Sequence, residues 1–271
     1  MTPHTTRVAG HFGELLQGRL GADGPVVLVT LPCPALTLDG IRRPGPGLHL
    51  HGHGQRLITP QRARRLLSAL GLAASGRFGL RAAMPLGGGA GASTAALVAL
   101  ARLAGWAGPP EDLARACIAC EGASDPLMFP APERLIWASR LGRAMGRTAP
   151  LPALEAVGGF FGPMQRTDPQ DGRFADISDL LPRWSEAARA RDAGLLAALS
   201  STSARRTLAL RGPAGDPTEA LARDIGALGF AIAHTGAARA LLFAPRTVPE
   251  DWRARLRAAG LRGMVRFRLG E

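Results

Sequence analysis

The chain has no lysine: all 33 basic residues among its 271 are arginines. That absence excludes a Walker phosphate loop, which needs a lysine after its last glycine, and the protein-kinase layout, which needs one on a neighbouring strand. Tyrosine is missing too, and the arginines are spread along the whole chain without interleaved aromatics. The net charge of +12 is therefore expected to attract a small anionic ligand, not nucleic acid. Three cysteines, Cys33, Cys117 and Cys120, are an odd number in a chain this long and argue against a disulfide framework. No apolar run approaches the roughly 18 residues of a membrane span, and residues 1–10 are polar, without the regions of a signal peptide. The expected location is cytoplasmic, with no nucleic-acid or membrane partner; monomer and homodimer both stay open.

What is present is alanine, glycine, proline and arginine, the coding bias of a GC-rich genome. The length suffices for one large domain or two modest ones. Short β-branched runs predict strands at 7–9, 26–31, 35–39, 48–53 and 77–84. Helices are expected over 60–72, 92–104 and 110–120, the first and last opened by proline. After the proline-rich TAPLPAL the order resembles a fresh start: strand–turn–strand over 156–166, broken helix over 180–210, and helices at 217–228 and 252–259. Strands are expected at 230–233, 240–243 and 264–269. This is an α+β pattern with two lobes, 1–150 and 151–271.

The most informative stretch is MPLGGGAGASTAALVAL, residues 84–100. Glycines let backbone N–H groups approach oxyanions, and the helix that follows adds roughly half a positive charge at its N-terminus. A dinucleotide fingerprint can be threaded as Gly87-x-Gly89-x-x-Ala92. Against it, Pro85 abuts the loop and the acids about 20 residues on, Glu111 and Asp112, open a helix instead of ending a strand. A flexible turn before an alanine-rich core helix is the structural alternative.

The segment Pro85-Leu-Gly87-Gly88-Gly89-Ala90-Gly91-Ala92-Ser93-Thr94-Ala95 resembles the phosphate loop of the GHMP small-molecule kinases, written P-x-G-x-G-x-x-S-S-[AT]-A, which uses backbone amides and a serine but no lysine. Residues 9–18, AGHFGELLQG, look like the CGE[LV][LV]QG signature of one branch, the L-threonine kinases of cobalamin biosynthesis. Residues 231–243, AIAHTGAARALLF, are similar to the third family motif. The three occur in family order. The resemblance implies the two-lobed α+β GHMP kinase fold, with a ribosomal-protein-like N-terminal lobe that binds ATP and a ferredoxin-like C-terminal lobe. It implies Mg2+-dependent transfer of the γ-phosphate of ATP to a small hydroxyl acceptor, L-threonine first, homoserine or another small alcohol next. A nucleotide-binding homologue without turnover is a further alternative. Ala92 stands where the family usually has the first of two serines, leaving Ser93 alone. Ala96 replaces an aspartate often seen in this branch, and Arg239 and Ala240 replace small residues of the third motif.

In CEGASDPLMF, Glu121 and Asp125 are four residues apart and share a helix face if the helix persists, or one turn otherwise. The resemblance assigns Glu121, with Ser93, to Mg2+, and Asp125 to the acceptor hydroxyl as base or anchor; an acid pair facing solvent is the alternative. Pro85, Gly87, Gly88, Gly89, Ala90, Gly91, Ala92, Ser93 and Thr94 would bind the nucleotide. Glu14 and Gln17, in what reads as a glycine-framed turn, suit the substrate's amino group or the nucleotide's polar edge, or else cap a helix. His11 shares that turn without an evident role. His234, Thr235 and Gly236 are expected on the floor near the acceptor. His49, His51 and His53 alternate without a nearby carboxylate, so an exposed strand is expected. Cys117 and Cys120 read as helix packing. One arginine of Arg62, Arg64, Arg65, Arg205 and Arg206 could grip an anion.

Overall fold

The computed structural model describes residues 4–165, 168 and 170–270. The strands are β1 (His4–Arg19), β2 (Val26–Arg43), β3 (Leu48–His51), β4 (Gly76–Ala82), β5 (Leu135–Ala138), β6 (Arg143–Arg147), β7 (Leu154–Phe160), β8 (Gly229–Ile232), β9 (Ala238–Phe243) and β10 (Arg262–Leu269). The helices are α1 (Pro60–Ala69), α2 (Ala92–Leu103), α3 (Pro110–Glu121), α4 (Leu180–Arg189), α5 (Ala193–Arg211), α6 (Thr218–Asp224) and α7 (Trp252–Ala258).

The strands join one sheet in the order β10-β7-β9-β8-β1-β2-β4-β3, with the β5–β6 hairpin attached to β2. The sheet passes residue 150 without a break, because β1 from the first half meets β8 from the second at Glu14 opposite Ile232. Phe12, near the centre of β1, packs edge-on against Phe160 and Phe267 of the second half, at centroid distances of 5.1 and 6.1 Å. α2 is buried along almost its whole length against β1, β2 and β4, which its nearly all-apolar sequence dictates. A smaller cluster around Phe230, Phe243 and Trp252 fills the space beneath α6 and α7. No described helix is long and apolar enough to cross a membrane.

Several sequence expectations need correction. Residues 9–18 are not a turn but the middle of β1, a strand of 16 residues. Its glycines mark close approach: a Cβ on Gly13, whose φ is +79°, would meet the carbonyl carbon of Ile232 at 2.6 Å. No helix begins there, so a capping role for Glu14 or Gln17 falls away. The ladder slips between Ala9 and Gly10, between His11 and Glu14, and between Glu14 and Leu16. A regular strand would point residues three apart to opposite faces; the bulges let His11, Glu14 and Gln17 line one cavity. The expected second strand of 156–166 is absent after β7 over the described residues, and Arg166 lies outside them. β5 and β6 are not expected from the sequence: β5 is an apolar run of only four residues, and arginines and a glycine interrupt β6. His53 falls beyond β3, with a φ of 47°.

Candidate active site

The glycine loop leads into α2 through Gly91, which takes the left-handed conformation at the N-cap and leaves the first turn without a side-chain cap. Backbone bonds fix its path. The N–H groups of His11 and Gly13 donate to the carbonyls of Ala90 and Gly89, at 3.3 and 3.2 Å, and Ala237 and Ala238 both donate to Gly88. The loop thus hangs between β1 and β9, with its helix dipole aimed at a cavity of about 260 Å³. Pro85, Gly87, Gly89, Ala90, Gly91, Ala92, Ser93 and Thr94 line that cavity. Gly88 does not: its carbonyl ties the loop to β9.

Two hydroxyl–carboxylate pairs flank the helix head. The Ser93 hydroxyl donates to Glu121 Oε1 in a very short contact, and Arg62 reaches the same oxygen at 3.1 Å. α3 ends at Glu121, and Gly122 turns the chain in the left-handed region, so Asp125 lies on the following segment and not on the same helix. There Thr94 Oγ1 donates to Asp125 Oδ2 at 3.2 Å. The neighbouring Ser124 is fixed by the Trp137 indole, which donates to its carbonyl at 2.7 Å, and by its own N–H donated to Ser139. The hairpin that sequence reasoning missed therefore holds the acid in place. The two acids face the cavity with side chains 13% and 27% exposed, which excludes a solvent-facing pair.

His11 joins β1 to Asp125. Its Nδ1 donates to the Gly13 carbonyl at 3.2 Å and lies 3.3 Å from Glu14 Oε1, while Nε2 lies 3.3 Å from Asp125 Oδ2. Burial alone would drive this imidazole down, but the carboxylates of Asp125 and Glu14 outweigh it and raise the group to about 9. Burial works to raise Asp125, yet the His11 charge and the hydrogen bonds from His11 and Thr94 pull it below the usual range. Glu14, 5% exposed, is pushed up by burial to about 8, with His11 working against the rise. Glu14 Oε2 and Gln17 Oε1 are buried acceptors without a hydrogen-bond partner. Both residues meet Ile232: Glu14 is opposite it in the sheet, and Gln17 Nε2 donates to its carbonyl.

On the opposite wall His234 stacks on Phe174 at 3.9 Å between centroids, and Arg140 covers the same ring at 5.1 Å. Burial pushes His234 down to about 3, and the contact with Arg211 adds to this, so the ring is a neutral acceptor. His234 and Thr235 line the main cavity; Gly236 lines only an adjoining hollow of about 120 Å³. Of the arginines named from sequence, Arg62 enters the site, whereas Arg205 and Arg206 pair with Glu219 and Asp179. Arg239 ends in an almost fully buried ion pair with Asp216 at 2.8 Å, a packing role. The three cysteines are free and buried. Among the described residues, His11, Glu14 and Asp125 form the one group of His, Cys, Asp or Glu with ligand atoms mutually within 4.8 Å; His49, His51 and His53 form none.

No protein-family model matches the chain, and no curated protein matches it. Solved structures do. The mevalonate kinase of methicillin-resistant Staphylococcus aureus is similar over 100% of both chains, at 14% identity and a TM-score of 0.63. The homoserine kinase of Cytophaga hutchinsonii covers 98% of this chain and 95% of its own, at 15% identity and 0.63. The protein MDDEF, solved with MVAPP, AMPPCP and magnesium, covers 99% and 97%, at 12% identity and 0.60. The chain has the mixed α+β fold with a curled sheet that these solved structures share over nearly their full length.

Proposed function

We propose that the chain is an ATP- and Mg2+-dependent kinase that transfers the γ-phosphate to the hydroxyl of a small acceptor, L-threonine first. O-phospho-L-threonine would then serve as precursor of the aminopropanol linker of cobalamin. In this reading the amides of residues 87–94 hold the phosphates. Ser93 and Glu121 would hold Mg2+, and their hydroxyl and carboxylate are the hard oxygen donors that ion takes. The ion, when bound, neutralises charge on the phosphates. Arg62 balances Glu121 in the free site.

The other residues act on the acceptor. Glu14 Oε2 and Gln17 Oε1, two desolvated acceptors on residues that line the cavity, match the N–H donors of an ammonium group. Asp125 meets the hydroxyl, and His234 and Thr235, with Gly236 behind them, form the far wall. The lobes 1–150 and 151–271 would divide the work, the first supplying the phosphate loop and acids and the second this wall.

The observation that carries the reading is the uncapped head of α2 opening into one cavity with both hydroxyl–carboxylate pairs. Homoserine stands as the second acceptor, favoured by the likeness in fold to a homoserine kinase. Incubation with Mg·ATP and L-threonine, L-serine or homoserine, followed as ADP release, tests both. Nucleotide-dependent thermal stabilisation without ADP release for any acceptor would replace the enzyme with a binding protein.

A further inference from the structure

His11 has no role in the reading above, yet both of its ring nitrogens are engaged. It is 4% exposed, and each ring nitrogen faces a carboxylate. Its N–H fixes the phosphate loop at Ala90, and its ring lies so close to Gly91 that a Cβ there would meet His11 Cδ2 at 2.6 Å. With Nδ1 donating to the Gly13 carbonyl, the contact of Nε2 with Asp125 needs a second proton, which makes the ring an imidazolium.

The consequence falls on Asp125. Its Oδ2 takes both contacts, His11 Nε2 at 3.3 Å and Thr94 Oγ1 at 3.2 Å. Its Oδ1 has no partner among the described residues, while the side chain lines the cavity. Among the described residues, Asp125 and Glu14 are the charged groups that act on His11. Thr30 of β2 and Thr94 of α2 are neutral, and the buried Cys117 thiol of α3 is pushed up by burial and stays neutral.

Resting on the kinase reading, we propose that His11 is a positioning residue. It clamps Asp125 through Oδ2, so that Oδ1 alone is turned to the acceptor hydroxyl, and it registers that carboxylate against the phosphate loop held by the same residue. Lysine could supply such a charge but would carry a single nitrogen; the imidazolium reaches the Asp125 carboxylate and the Glu14 carboxyl group at once. Glu14 anchors the far side of the ring.

The test has two arms. Imidazole 15N NMR of the full chain is expected to show both His11 nitrogens protonated at neutral pH, with the titration moving down in Asp125→Asn. A neutral ring in the wild type overturns the proposal, whether or not the chain turns over. In the kinetic arm, His11→Gln is expected to lower kcat about tenfold to a hundredfold while the KM for ATP shifts less than about threefold. The acid limb of its kcat profile should move up, because Asp125 loses its counter-charge. Reduced thermal stability with kcat and its acid limb unchanged would mean packing alone and end the idea. Absence of ADP release from the wild type with every acceptor sinks the kinase reading instead, and the NMR arm then still decides whether the clamp exists.

Discussion

Ser93 at the head of α2 donates its hydroxyl to Glu121 at the tail of α3, 28 residues later in the chain. The contact joins the positive end of one helix dipole to an acid at the negative end of another, where a carboxylate is unfavourable alone. Arg62 relieves that penalty in the free protein, and a divalent ion would relieve it in the loaded one. Ser93→Ala and Glu121→Gln are each expected to lower turnover about a hundredfold, the scale of losing one charge-stabilising group. ADP release across a Mg2+ titration checks this. Wild-type rates in both variants would remove the assignment.

The loop itself can be tested without catalysis. At Gly89, φ is +72° and an added Cβ would lie 2.2 Å from Ala233 Cβ. Gly89→Ala should cost at least about 1–3 kcal/mol from backbone strain, read as a lower urea midpoint. It should also abolish the thermal shift given by nucleotide.

Glu14 links acceptor binding to protons. Burial holds it protonated up to about pH 8, whereas an ammonium group beside Oε2 favours the ionised form. Binding of L-threonine near neutral pH is therefore expected to release a proton, and the release should fade above about pH 8. Titration calorimetry in buffers of different ionisation enthalpy measures it. Glu14→Gln should remove the proton release. So should 3-hydroxybutyrate, which lacks the ammonium.

Stability should follow the same groups. His11 is raised from 6.5 to about 9 and Glu14 from 4.5 to about 8, so the folded chain binds more protons than the unfolded one between those limits. Their stabilisation is complete below the lower values and is lost as pH rises through the higher ones. Asp125 has the opposite sign, depressed from 3.8, and its contribution is lost in acid. His234, lowered from 6.5 to about 3, offsets Glu14 in acid, so urea midpoints are expected to stay roughly level to about pH 6.5 and to fall from there to about pH 9, with a smaller fall in His11→Gln. A rise across that range contradicts the charge assignment.

Arg239 departs from the third motif for a structural reason. It emerges from β9 into a buried pair with Asp216, the side chains 4% and 6% exposed. Arg239→Met strands a buried carboxylate and should cost about 3–5 kcal/mol, with the urea midpoint as readout. The KM values of the remaining folded enzyme should be unchanged.

What was legible in the sequence was local. Glycines before an alanine-rich run told of the loop and α2, and the proline-opened α1 and α3 were found within a few residues. β1 was misread because Gly10, Gly13 and Gly18 resemble turn residues; in the fold they admit neighbouring backbone at 2.4 to 2.6 Å from where a Cβ would sit. The β5–β6 hairpin lacked alternation, yet it carries Trp137, whose indole steadies the segment bearing Asp125. His11 and Asp125 meet across 114 positions of sequence. Arg62 and Glu121 meet across 59. No period or spacing encodes such pairings; only the sheet order does.

That order has a mechanical outcome. β1 lies between β2 and β8, laced to both, so the side chains that would greet the acceptor ride on an interior rib of the sheet and not on a loop. An enzyme built this way accommodates a new alcohol by exchanging residues at positions 14 and 17 while the frame stays put. On the kinase reading its selectivity would be written on a rigid strand, whose amides should be among the last to exchange with deuterium.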